Sequence, residues 1–154
     1  LPQDKFSVTR LAGFQDIFIA GNDFSDLAGR SVTPGELCGY PFICMEPGTV
    51  TRQFLDDFLL QFHLAVSPDI ELATTDLITP MAANNLGVGF VPRAFARSAL
   101  EEGSVFQIRL TEIVPEREIC VISRTDTPLS LAGNAFLRLF SDFAEPSCIK
   151  KDCR

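Results

Sequence analysis

Two rhythms of apolar residues alternate along the chain. Short apolar runs occupy residues 14–20, 41–45, 70–73 and 87–91. Runs of this length bounded by turn formers predict strands, and a run without polar alternation, such as 41–45, predicts a strand buried on both faces. Gly21-Asn22-Asp23 closes the first run and Pro47-Gly48 the second. Between the runs the spacing is helical. Phe54, Leu55, Phe58, Leu59 and Phe62 share a stripe. Thr49 stands where its hydroxyl can cap them, so a helix is predicted from there to His63 or Leu64. Thr74 is the candidate cap of a second helix through Leu77, Ile78, Met81 and Ala82, stopped by Asn84-Asn85. Pro80 inside it predicts a kink or a late start, because proline removes one backbone bond. Pro92 opens a short helix that ends before Gly103. Residues 25–40 read as a connector with a helical turn after Pro34.

Strand–helix alternation with tight links predicts an α/β unit whose parallel sheet is covered on both faces. Beyond residue 104 the pattern changes. Residues 105–110 and 118–123 predict two further strands joined through Pro115. Ser130 then caps a helix carrying Leu131, Ala135, Phe136, Leu139, Phe140 and Phe143, which should finish before Pro146.

Composition narrows the function. The 154 residues include 13 Lys+Arg and 20 Asp+Glu, a net charge of −7, with 46% hydrophobic and 21% charged residues. That is globular composition. The acidic balance and the lack of a basic stripe argue against nucleic-acid binding by this chain itself. No apolar run reaches the roughly 20 residues of a membrane span. Leu1-Pro2-Gln3-Asp4-Lys5 lacks the basic and apolar segments of a signal peptide. With no initiator Met, and ordered sequence already at Lys5 to Thr9, the chain is expected to be a piece of a longer cytoplasmic protein.

Candidate chemistry is sparse. Cys38, Cys44, Cys120, Cys148 and Cys153 are odd in number and lack metal-ligand spacing, so they read as free thiols of a reducing compartment. Cys148 and Cys153 would be the best redox pair. His63 has no nucleophile paired with it, Asp56 and Asp57 point about 100° apart on a helix, and Glu101-Glu102 and Glu116-Arg117-Glu118 read as surface charge. Gly87-Val88-Gly89 lacks the third glycine of a dinucleotide loop, because Pro92 stands there. The two glycines instead let the chain leave a helix and enter a crowded strand. No catalytic residue, metal or cofactor is expected. The threonines say more. Thr49 and Thr51 open one helix and Thr74 and Thr75 another, each after a short buried strand. In an open α/β sheet that edge binds ligands, and helix N-termini suit anions. Gly48, Thr49, Val50, Thr51, Thr74 and Thr75 are therefore the candidate effector-binding residues.

The order of these segments resembles the effector-binding domain of LysR-type transcriptional regulators, from about Phe14 to Phe143. Residues 26–37, from Asp26 through Arg30 and Pro34 to Leu37, are similar to that family's connector into its second lobe. Tyr40-Pro41-Phe42-Ile43 followed by Glu46-Pro47-Gly48-Thr49 resembles the next strand-to-helix turn. Residues 74–92 resemble its capped helix, glycine-rich turn, strand and proline, with Asn85 where the family has Gly and with an unusual Pro80. The resemblance implies a periplasmic-binding-protein-like type II fold of two Rossmann-like lobes, the first incomplete. Residues 1–24 would be the crossover strand and remnant of the first lobe, 25–103 the second lobe, 104–146 the return strands and last helix of the first lobe, and 147–154 a tail. It further implies a small-molecule effector between the lobes, self-association as dimer or tetramer, and DNA contact only through an N-terminal domain absent from this chain.

Two other classes compete. A transporter's solute-binding protein would share the lobes but would carry a signal peptide and paired or absent Cys. An α/β enzyme, of prephenate dehydratase-like or deaminase-like lobed form, would need an acid/base constellation. The helix at 49–63 carries more large apolar residues than one sheet face needs. Phe54, Phe58, Leu60 and Phe62 are therefore expected at an interface between copies, the alternative being that they fill this chain's own core.

Overall fold

The structure, a computed structural model, describes residues 5–143. The expected stop at Pro146, the Cys148 and Cys153 pair, the tail at 147–154 and the side chains of Phe140 and Phe143 lie outside what is described. The chain forms two compact units, Gln15–Pro115 and a smaller one made of Leu1–Phe14 with Glu116–Arg154. The larger is wider at both ends than the expected lobe at 25–103, because the strands entering and leaving it belong to its sheet.

Six strands build the larger unit, in the order β2-β6-β1-β5-β3-β4. They are β1 (Phe6–Gly21, through its second half), β2 (Ser31–Val32), β3 (Phe42–Met45), β4 (Ile70–Leu72), β5 (Val88–Pro92) and β6 (Val105–Leu110). β3 runs parallel to β4 and β5, and β2 parallel to β6. β1 is antiparallel to both of its neighbours, with Ile17 opposite Val91 and Ile19 opposite Gln107. The all-parallel expectation is thus corrected. Five strands run one way, and the middle one opposes them because it enters from the edge where the others end.

Four helices cover this sheet: α1 (Pro34–Leu37), α2 (Val50–Leu60), α3 (Ile78–Ala83) and α4 (Arg93–Glu102). One face packs Phe18, Phe42, Cys44, Phe90 and Ile108 against Leu37 of α1 and Leu55, Phe58 and Leu59 of α2. The other packs Ile17, Ile19, Ile43, Met45 and Val91 against Ile78 and Ala82 of α3 and Ala96 of α4. Every residue of β3 is buried, as its apolar run predicts. Pro80 produces the late start. Thr75–Leu77 form a single 3-10 turn and the α-helix begins at Ile78, placing Pro80 in a first turn where no N–H is needed. Asn85 takes the left-handed conformation, φ 60°. The crowding read from Gly87 and Gly89 is present. A Cβ on Gly87 would stand 2.6 Å from the Pro41 carbonyl oxygen, and one on Gly89 2.7 Å from Ile78.

In the smaller unit β7 (Glu116–Arg124) pairs with β1, and Arg10 reaches Glu118 at 3.2 Å. β1 begins at Phe6, earlier than the strand expected at 14–20. The Ser130 hydroxyl accepts from the Gly133 N–H at 3.1 Å and opens the helix α5 (Leu131–Phe143).

Candidate functional site

All five same-direction strands end at one edge of the larger unit, and each helix follows a strand from that edge. α2 follows β3 there, and the 3-10 turn leading into α3 follows β4. α2 and α3 lie on opposite faces of the sheet, yet their openings share the edge because β3 and β4 are adjacent and in register, Met45 opposite Leu72. The Glu46 N–H donates to the Leu72 carbonyl at 2.9 Å, extending the ladder past the strand ends. The structure therefore brings Gly48, Thr49, Val50 and Thr51 to the same edge as Thr74 and Thr75.

The six residues are not equivalent. Gly48 holds φ 88°, a conformation that suits glycine and turns the chain into α2. The Thr49 hydroxyl accepts from the Arg52 N–H at 3.3 Å and donates to the Glu46 carbonyl at 3.0 Å. It is the cap expected. Val50 is 72% exposed, and Thr51 is half-buried. Thr75 donates to the Met45 sulfur at 3.5 Å. Thr74 stands at the N-cap position but makes no capping bond. The capping expectation for Thr74 is corrected. A 3-10 first turn places its N–H groups differently from the α-helical turn that a side-chain cap fits.

Arg52, a residue not singled out from the sequence, organises this edge. Its Nε donates to Asp56 at 3.0 Å, and its Nη1 to Glu71 at 2.7 Å and to the Met45 carbonyl at 3.2 Å. Its side chain is 11% exposed. Burial alone would lower its pKa, but the hydrogen bonds it donates to Glu71 and Asp56 outweigh that and raise it. Asp56, read from the sequence as surface charge, is exposed and paired. The signal was present as an Arg–Asp pair four residues apart on a helix, but nothing local in sequence joined Glu71 to it. At the other side of the same edge a cavity of about 340 Å³ is lined by Gln15, Asp16, Ser31, Gln107, Arg109 and Glu112 among others. Gln107 accepts from Arg93 at 2.5 Å, and Gln15 donates to the Val114 carbonyl at 3.2 Å.

The expected interface residues separate. Phe58 is 2% exposed in the chain's own core, 6.3 Å from Phe18 and 5.4 Å from Phe62 between ring centres. Phe54 is half-buried and stacks on Phe90. Phe58 is thereby corrected from partner contact to core, and Phe54 and Phe62 pack chiefly inward. The sheet face beneath them is itself phenylalanine-lined and takes up a wide stripe. Leu60 remains 65% exposed. His63 is exposed at φ 59°, just past α2.

Cys44 is buried, and burial pushes its thiol up to about 11. Burial also raises the Cys38 thiol, while Cys120 lies half-buried in β7. Among the described residues no group of three His, Cys, Asp or Glu could hold a metal ion. No described helix is long and apolar enough to cross a membrane.

Comparison with known proteins adds to this geometry. The regulatory domain of CcmR from Synechocystis PCC6803, solved in complex with 2-PG, superposes with a TM-score of 0.80 at 20% identity, over 95% of this chain and 70% of that one. The effector-binding domain of QuiR in complex with shikimate gives 0.75 at 13% identity, over 93% of this chain and 67% of that one. The bromide-bound regulatory domain of HypT from Salmonella typhimurium gives 0.70 at 17% identity, over 93% and 66%. These likenesses establish the fold, the periplasmic-binding-protein-like type II architecture of such domains. In sequence, an uncharacterized HTH-type transcriptional regulator of Escherichia coli K12, YfiE, is 32% identical over 94 residues, which are 61% of this chain and 30% of that protein. The chain therefore spans less than a third of that relative's length. The family model for the LysR substrate binding domain matches residues 2–145, so this chain belongs to the LysR substrate binding domain family.

Proposed function

We propose that the chain is the effector-sensing part of a cytoplasmic LysR-type transcription factor, not an enzyme, and that it binds a small molecule at the carboxyl edge of its larger unit. Family membership across residues 2–145 carries this reading, and the edge shared by the two threonine turns supports the proposed location. Gly48, Thr49, Val50 and Thr51 on one side and Thr74 and Thr75 on the other would hold the effector. The threonine hydroxyls and the N–H groups that open α2 suit an anionic group. Binding would act by favouring one of two states of the assembled regulator. The parent protein would hold DNA through a separate domain, since a chain of net charge −7 has little with which to neutralise phosphates. Copies would associate as dimer or tetramer, with Leu60 as an exposed apolar residue near the end of α2. The larger unit, Gln15–Pro115, would be the second lobe, and the smaller unit would belong to the first.

Titration of the labelled chain with 2-PG, shikimate and other small carboxylic and phosphorylated acids tests the site by amide chemical shifts. Saturable shifts are expected at Gly48–Thr51 and at Thr74–Thr75. Saturable shifts confined to residues elsewhere in the chain would overturn the assignment. The same chain should show no tight, salt-sensitive binding to duplex DNA.

A further inference from the structure

We propose that Arg52 is a positioning residue for the effector site, holding the two threonine turns at a fixed spacing without touching the ligand. The inference rests on the reading that those turns hold the effector. Three elements meet in this one side chain. Through its Nε it is tied to Asp56 on its own helix, at 3.0 Å. Through Nη1 it reaches Glu71 of β4 at 2.7 Å and the carbonyl of Met45, the last residue of β3, at 3.2 Å. Its backbone N–H is in turn the group that Thr49 caps. Met45 also receives the Thr75 hydroxyl on its sulfur. The path from Thr49 to Thr75 therefore runs Thr49, Arg52, Met45, Thr75, with every link a hydrogen bond.

Charge separates positioning from direct binding. Two carboxylates flank the guanidinium, so the trio carries a net negative charge and offers an anionic ligand no attraction of its own. The side chain is mostly buried, whereas Asp56 and Glu71 are 48% and 41% exposed. The arginine is the anchored member and the acids complete its fork. Lysine, a point charge without the planar fork, cannot make the same set of bonds.

The test compares Arg52→Met, Arg52→Lys and Glu71→Gln with the wild-type chain by amide chemical shifts and hydrogen exchange, with 2-PG then titrated into each sample as probe. Without probe, Arg52→Met and Glu71→Gln should both move the amides of Thr74 and Thr75 as well as those of Gly48–Thr51. Exchange at Glu46, whose N–H bonds Leu72, should accelerate about tenfold in Arg52→Met, with Arg52→Lys in between. Probe binding should weaken about tenfold in Glu71→Gln, the scale seen when groups supporting a site are lost. Glu71→Gln removes a charge at an exposed position and keeps the test decisive should Arg52→Met fail to fold. The proposal is overturned if Glu71→Gln leaves both turns and probe binding as in wild type. It is overturned equally if Arg52→Met weakens probe binding while the Thr74–Thr75 amides keep their positions, since Arg52 would then touch the ligand directly. If 2-PG moves no wild-type amide while the variants still displace both turns, the coupling through Arg52 stands and the effector reading fails.

Discussion

The larger and smaller units use equally apolar sequence to different ends. In Gln15–Pro115 the apolar runs are driven to near-zero exposure. Phe18, Ile19, Phe42, Ile43, Leu55 and Phe90 are all 1% exposed or less. In the smaller unit Leu11 is the one hydrophobic residue buried among those described, while Val8, Ile119, Ile122, Leu131, Phe136 and Leu139 are each at least 50% exposed. A two-stranded ribbon has too little surface to bury both of its faces. Apolar periodicity thus decides which element forms, but burial depends on how many neighbours the element has. A rule that equates pattern with core works in one unit and fails in the other.

The sharpest way to break this contrast is to truncate one phenylalanine in each unit. Phe58→Ala should cost about 3–5 kcal/mol, the range for large buried aromatics. Phe136→Ala should stay within about 0.5 kcal/mol, as for exposed positions. Paired urea melts decide it, and similar losses at the two sites would abolish the distinction. Next in size, Gly21→Ala should destabilise by about 1–3 kcal/mol, because its Cβ would fall on the Ala82 carbonyl oxygen and the Asn85 side chain. Gly133→Ala in the smaller unit, where the nearest atom is 3.4 Å away, should be far milder. Smaller again, Thr49→Ala should cost about 1 kcal/mol as a lost cap. Thr74→Ala should cost much less because it caps nothing, and thermal melts that rank the two in reverse would contradict the capping geometry. Last, alkylation of the native chain at pH 8 should modify Cys120 before Cys44, which is buried and has a thiol pKa raised to about 11. Peptide mapping showing the opposite order would mean that the larger unit opens more readily than the smaller.

Much of the larger unit was legible because its residues announce themselves locally. Thr49 sits before an apolar stripe, Pro80 forbids an early α-helical turn, and the run at 41–45 has no polar side to expose. What could not be read is what depends on partners distant in sequence. A strand buried on both faces has the same apolar look whether its neighbours run with it or against it, so β1's opposed direction left no trace. The first half of β1 was missed because Ser7, Thr9 and Arg10 break the apolar run that marks its second half. The phenylalanines of α2 looked too many for one sheet face only because Phe18, Phe42 and Phe90 were not yet known to line that face together. At the site, the threonines were legible as helix openings, but the bond from Arg52 to Glu71 joins residues in different elements and has no sequence signature.

The reversed middle strand also sets the order in which this chain can fold. β1 is synthesised before the other strands of its sheet, and Ile19 lies opposite both Gly89 and Gln107. The centre of the sheet stays unpaired until nearly the whole larger unit has left the ribosome. Local pieces such as α2 can form earlier, but they have no sheet to pack on. Such distant pairings fold slowly and leave apolar strand edges open to other chains meanwhile. For this domain the exposed interval falls during synthesis, and it ends when β5 and β6 close on β1 from either side.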